Sequence, residues 1–406
     1  MTPPVARGGR VRNPSPPLHM QRDGFDPVPE LSALRDEEGV AKIRTVFGTD
    51  AWLVTRFEDV RALLSRPDLY SNALVPPLRP PGAPPPSEKE AAEMRAGNLL
   101  GADPPHHTRL RRMLTPEFTV RRMRRLEPRV QQIIDDHLDA MERGGPPADL
   151  VADFALPVPS LVICELLGVP YADRAGFQRT THQILDVSLP PDERAAAAAE
   201  ARAYITGLIP GVRSDPGDDL FGMLVREHGD DLGDAELAGI GSLLLIAGHE
   251  TTANMLALGT LALLRHPDQL KLLRDEPDRV DTAVEELLRW LSIVHSGTAK
   301  IATTESRLGG RTIAAGDMLL VSLPAANRDP ALVSHPDELD IRRDALGHVA
   351  FGHGIHHCLG APLARMELRL GFPALLRRFP ELRLAGEPVF RSYTVVHGLT
   401  TMPVAW

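Results

Sequence analysis

The stretch Phe351-Gly352-His353-Gly354-Ile355-His356-His357-Cys358-Leu359-Gly360 decides how this chain is read. It places one thiol at the end of a glycine-punctuated turn, in the frame F-x-x-G-x-x-x-C-x-G. Cys358 is one of only two cysteines in 406 residues, too few for a disulfide framework. A helical pattern starts at Ala361, with Pro362 near its beginning, where a missing N–H costs nothing. The thiol therefore meets free backbone donors and the positive end of a helix dipole, and both favour the thiolate.

A lone thiolate in a shielded turn suits a haem iron as axial ligand, since it pushes electron density onto the iron and favours O–O cleavage. The cluster His353, His356, His357 and Cys358 also raises a zinc site, but no second ligand pair at a separate spacing accompanies it. The motif resembles the haem-binding loop of the cytochrome P450 family, in its soluble bacterial branch. That resemblance implies that Cys358 ligates the iron of a haem b, with Phe351 and Gly360 in the cofactor loop. It implies a mainly α fold with small β-sheets, one large helical unit around a buried haem.

Composition agrees with a globular chain: 43% hydrophobic, 24% charged, net charge −9. The negative charge argues against a nucleic-acid partner. The first ten residues have no apolar core, so they read as neither signal peptide nor membrane anchor. Residues 1–20 read as a mobile tail and 21–406 as one catalytic domain, expected in the cytoplasm. Cys164, in the apolar run Leu161-Val162-Ile163-Cys164, reads as a small core residue.

Short strands are expected around Ile43 to Phe47 and at Trp52 to Thr55. Residues Ser71 to Pro105 are proline-rich and read as a long loop with a short helix near Lys89 to Arg95, and such loops are often functional. The pattern is helical from His107, with breaks at Gly144 to Pro147, Pro190-Pro191 and Asp215 to Asp218. Gly297 to Leu323 reads as strands and turns, and Val389 to Val404 as a last hairpin.

Ala235 to Arg265 is helical and apolar almost all round, hence buried. His249, Glu250 and Asn254 interrupt every window long enough to span a membrane. Its centre, Ala247-Gly248-His249-Glu250-Thr251-Thr252, resembles the family's oxygen-activation motif. Small Ala247 and Gly248 would let a flat macrocycle and dioxygen approach the backbone. The resemblance makes Thr251 the hydroxyl that positions dioxygen and a proton-carrying water, and Glu250 the acid that relays protons. His249 either partners Glu250 or points away.

Glu286 and Arg289 lie three residues apart on an amphipathic helix, off its apolar stripe, which by itself reads as an exposed pair. The resemblance instead matches them to a buried Glu-x-x-Arg pair, joined by Arg343 and holding the cysteine loop. It also assigns His107 and Arg111, His356, and Lys300 to the haem carboxylates. Lys300 stands where the family usually has arginine, a point charge in place of a planar fork.

Seven arginines between Arg109 and Arg125 face one acid, Glu117, and read as a positive patch that would steer an acidic iron–sulfur ferredoxin. The chain has no Rossmann fingerprint or flavin domain, so a separate NAD(P)H-dependent reductase would feed the ferredoxin. The implied activity is a monooxygenase that hydroxylates or epoxidises a hydrophobic small molecule, a polyketide, macrolide or terpenoid before a fatty acid. Peroxide-driven oxidation, oxidative coupling, ring formation and a non-catalytic haem binder are the rivals. Substrate contacts are expected from Ser71 to Leu100, Phe177 to Ile209, Leu244, Ala247, Gly248, Ile293, Val294, Val395 and Val396.

Overall fold

The computed structural model describes residues 16–45, 49–76, 87–296 and 298–406. Its axis is the helix Asp234–Arg265, which buries most of its length on every side. Asp234 and Glu236 occupy its first turn, where negative charge suits the helix dipole. Pro267 follows its end and cannot continue the ladder. The helices Pro157–Leu167, Pro191–Ser214, Ala361–Arg378 and Val280–Leu291 pack against it, and Val120–Gly144 packs on the Ala361–Arg378 helix. Among the described residues no helix is long and apolar enough to cross a membrane.

Beside this helical body lies a five-stranded sheet. Its order is Val40–Arg44, Asp50–Val54, Met318–Val321, Ala299–Ala302, Tyr70–Ser71. The Asp50–Val54 and Met318–Val321 strands run parallel, and the other pairs antiparallel. The first strand begins earlier than expected, at Val40, because Val40 and Ala41 face the core; Phe47 lies outside the described residues. Tyr70 pairs with Ala302 and Ser71 with Ile301, so the register carries Asn72 to Lys300.

Of the tail expected over residues 1–20, only residues 16–20 are described. Among them Leu18–Met20 form a 3-10 turn with His19 and Met20 buried. The turn packs where His19 Nε2 lies 3.4 Å from Ser296 Oγ. Next to it His295 Nε2 donates to Thr394 O at 2.6 Å and His397 Nε2 to Gly24 O at 2.9 Å, their rings 5.9 Å apart.

These three buried imidazoles give the fold a pH dependence. Burial lowers His19 to about 4. Burial, with the nearby Arg22 charge, lowers His397 to about 3 and His295 well below 6.5. At neutral pH they are uncharged folded or unfolded. Below the ordinary value of 6.5 the unfolded chain takes up protons that the folded chain refuses. Stability should therefore fall as pH drops through this window, by up to about 1.4 kcal/mol per pH unit for each imidazole. Urea midpoints from about pH 7.5 to about pH 5.5 measure this; a flat profile would contradict the burial account.

Candidate active site

The cysteine loop is built by two left-handed glycines and one backbone bond. Gly352 has φ +72° and Gly354 φ +71°. A Cβ on Gly354 would also collide with the Leu64 carbonyl, so no larger residue fits there. Cys358 N–H donates to Phe351 O at 2.8 Å and closes the loop. The helix Ala361–Arg378 then begins, with Ala364 N–H donating to Gly360 O at 2.9 Å.

Cys358 is accessible although it sits deep between these elements. Burial raises its thiol, against the pull of the Gly360 and Ala361 N–H groups and the charges of Arg111 and Arg365. The turn thus supplies the expected donors, and desolvation of the sulfur opposes them. A bound cation reverses that balance, because a coordinating thiol is deprotonated outright.

Beside the thiol lies an unusual set of donors. His107 and His356 lie against each other, ring centroids 4.3 Å apart and planes tilted by 59°. All four of their ring nitrogens are buried without a hydrogen-bond partner. Lys300 is buried and reaches the Asn72 side-chain carbonyl, with no ion pair among the described residues. Arg111 Nη1 donates to His357 O at 2.7 Å. The acid nearby, Asp103, is taken by the Ser71 hydroxyl and by Asn72 N–H at 2.9 Å. Burial, with the crowded positive charges around it, brings His356 to about 3, and burial brings Lys300 to about 8. Orphaned buried donors are costly and need explaining. A group bearing two carboxylates, as haem does, fits the set. Among the described residues no group of three or more histidines, cysteines and acids is arranged to hold a metal ion.

At the centre of the long helix Ala247 is exposed while Leu244, His249 and Glu250 are buried. That exposure marks the face turned to an internal space. Thr251 lies one turn on, its hydroxyl donating to Ala247 O at 2.9 Å, as a threonine can do within a helix. Gly248 carries a second demand. A Cβ there would meet Ile163 Cδ1 at 2.7 Å, so its smallness also serves packing against the Pro157–Leu167 helix. Glu250 accepts from Arg391 Nη1 at 2.7 Å and Asn254 Nδ2 at 3.2 Å. His249 points away: its Nδ1 lies 2.7 Å from Leu245 O and its ring sits edge-on to Phe177.

Glu286 and Arg289 form a two-pronged pair, Nε to Oε2 at 2.7 Å and Nη2 to Oε1 at 2.8 Å, both side chains 0% exposed. Arg343 Nε reaches Glu286 Oε1 at 3.2 Å, and Asp340 N–H donates to the same oxygen at 3.0 Å. Arg289 also donates to Asn327 O at 2.9 Å and Pro336 O at 2.8 Å. The pair is therefore no exposed salt bridge: it ties the Val280–Leu291 helix to the loop 327–343.

The structure also gathers distant apolar segments. Val294 bridges to Val396, and His397 N–H donates to Ile293 O at 2.8 Å. Val395 N–H donates to Leu185 O at 3.0 Å, which brings in the end of the Arg174–Leu185 helix. The short helix Glu88–Arg95 of the proline-rich stretch touches the central helix. Residues 77–86, part of the expected contact segment, lie outside the described residues.

Comparison with known proteins agrees with this geometry. The family model "Cytochrome P450" matches residues 218–387. Cytochrome P450 FAS1 of Rhodococcoides fascians is 48% identical over 392 residues, covering 96% of this chain and 98% of the relative. The chain belongs to the cytochrome P450 family. Cytochrome P450 monooxygenase PikC of Streptomyces venezuelae is 43% identical over 394 residues, covering 94% of this chain and 91% of the relative. The solved structure of P450 StaH from glycopeptide antibiotic A47934 biosynthesis has a TM-score of 0.84 and 44% identity, covering 96% of this chain and 100% of that one. This P450 is an oxidoreductase of the monooxygenase type, and its family implies a haem-thiolate centre.

Several residues of the P450 site carry no signal in the sequence. Arg391 and Asn254 hold Glu250, yet Arg391 lies 141 positions away. Asn72, the partner of Lys300, is 228 positions off. The arginine patch is thinner than its sequence suggests: Arg109 pairs with Glu236, Arg122 with Glu117, and Arg125 with Asp218. Arg112, Arg121 and Arg124 stay exposed, in no ion pair among the described residues.

Proposed function

We propose that this P450 uses haem b, held by the Cys358 thiolate, to oxygenate a hydrophobic secondary metabolite. Residues 21–406 act as one catalytic unit in the cytoplasm. The observation that carries the reading is the convergence of Cys358 with the unpartnered ring nitrogens of His107 and His356 and with buried Lys300, which has no ion pair among the described residues. When bound, haem supplies dioxygen activation and electron storage, the hard part of the chemistry. Arg111, Lys300, His107 and His356 would hold its carboxylates.

The other residues have roles of their own. Thr251 presents a hydroxyl on the accessible face of the central helix and orients a proton donor there. Glu250, held by Arg391 and Asn254, passes protons toward Thr251. This pair supports dioxygen chemistry over peroxide-driven oxidation. Arg112, Arg121 and Arg124 offer a basic surface to an acidic iron–sulfur ferredoxin, itself fed by a separate NAD(P)H-dependent reductase. The substrate space is apolar: Leu244 and Ala247 from the central helix, with Ile293, Val294, Val395 and Val396 from the paired segments. The role of the glycopeptide-pathway neighbour supports a natural product as substrate.

Spectral titration against a metabolite library tests the reading. Apolar metabolites that displace water from the iron should shift the Soret band, and a bound-substrate structure should show contact with Val395 or Ile293. If only straight-chain fatty acids shift the band, the substrate class is wrong.

A further inference from the structure

Sequence motifs single out Glu286, yet its neighbour Glu285 is equally buried and makes a second network. Glu285 grips Arg365 with both oxygens, Nε to Oε1 at 2.6 Å and Nη2 to Oε2 at 2.8 Å. Arg365 stands one turn into the helix that follows Cys358, and its guanidinium lies 4.6 Å from the centre of the Phe351 ring. His348 Nε2 sits 3.2 Å from Glu285 Oε2. Its own ring is 6.1 Å from Phe351. One carboxylate thus fastens the residue that opens the loop, through Arg365, and the helix that closes it.

The pair is also electrically active. Burial alone would raise Glu285, but His348 and Arg365 bring it to about 2, so it is fully ionised at neutral pH. Phe351, under the Arg365 guanidinium, accepts from Cys358 N–H through its own carbonyl at 2.8 Å, so the charge of Arg365 stands beside the cysteine loop. The Glu285 side chain is 7% exposed and that of Arg365 25%, so water screens the pair only partly.

We propose that Glu285 and Arg365 are positioning residues that set how strongly the Cys358 thiolate donates to the iron. This rests on Cys358 being the ligand. Arg365 withdraws electron density from the sulfur by its positive field, and Glu285 offsets part of that field. The two charges therefore act on the thiolate in opposite directions. A purely mechanical clamp would respond to the loss of either partner in the same direction.

The test is the reduction potential of the haem-loaded protein, with the carbon monoxide spectrum of each variant recorded alongside. In Glu285→Gln the field of Arg365 is no longer offset, donation weakens, and the potential should rise. In Arg365→Gln the positive charge is gone and the potential should fall. Haem transfer to an apo-acceptor should speed up in both, which reads the clamp separately. Shifts of one sign in both variants, or none, would overturn the proposal. If Arg365→Gln does not load haem, Glu285→Gln decides: an unchanged potential overturns it. Should the wild-type protein lack a thiolate-type carbon monoxide spectrum, the ligation reading fails and this inference with it; a normal wild-type spectrum with same-sign shifts refutes this inference alone.

Discussion

Arg289→Ala should abolish haem-loaded, folded protein. The guanidinium is fully buried, and its loss strands the Glu286 carboxylate in the interior. Breaking such a pair costs about 3–5 kcal/mol. The same change removes donors from the carbonyls of Asn327 and Pro336, each buried acceptor adding its own desolvation cost. A native protein commonly has about 5–15 kcal/mol in all, so little stability would remain. Arg289→Lys should fail almost as badly, since one ammonium cannot replace two parallel bonds to a carboxylate. The measurement is the yield of haem-bound protein and its absorbance ratio after purification. Normal yields of Arg289→Ala would mean that the pair is dispensable.

Thr251→Ala should leave the fold and haem content intact but uncouple the reaction. The Thr251 hydroxyl donates to Ala247 O on the accessible face of the central helix, so its removal leaves no buried partner in need of rescue apart from that carbonyl. What is lost is a proton-positioning group, a role worth about 10²–10⁴-fold. Reduced cofactor should still be consumed, with most of the electrons leaving as hydrogen peroxide. Product formed per NAD(P)H oxidised gives the answer, and Thr251→Ser should recover part of the coupling. Full coupling in the alanine variant would assign proton delivery to another group.

How much of this was legible beforehand follows from where each interaction lies along the chain. The cysteine loop, the Glu-x-x-Arg pair and the small-residue centre of the long helix are compact in sequence. Their chemistry demands particular residues at short spacing, so a reader can find them. Arg391 against Glu250, and Asn72 against Lys300, are meetings of segments brought together by the fold. No local pattern announces them. Gly248 carries a second demand that the sequence hides: an added Cβ would meet Ile163 of a helix some eighty positions away. The arginine run is thinner than its sequence for a related reason, since Glu236 and Asp218 reach it from elsewhere. For Cys358 the donors can be counted in the sequence, but the desolvation that opposes them depends on burial, which only the structure reveals.

The central claim is that Cys358 is the axial ligand. The carbon monoxide difference spectrum of freshly purified, reduced protein tests it most directly. The account predicts the long-wavelength Soret band of thiolate ligation, lost in Cys358→His. A histidine-type band in the intact wild-type protein would contradict it.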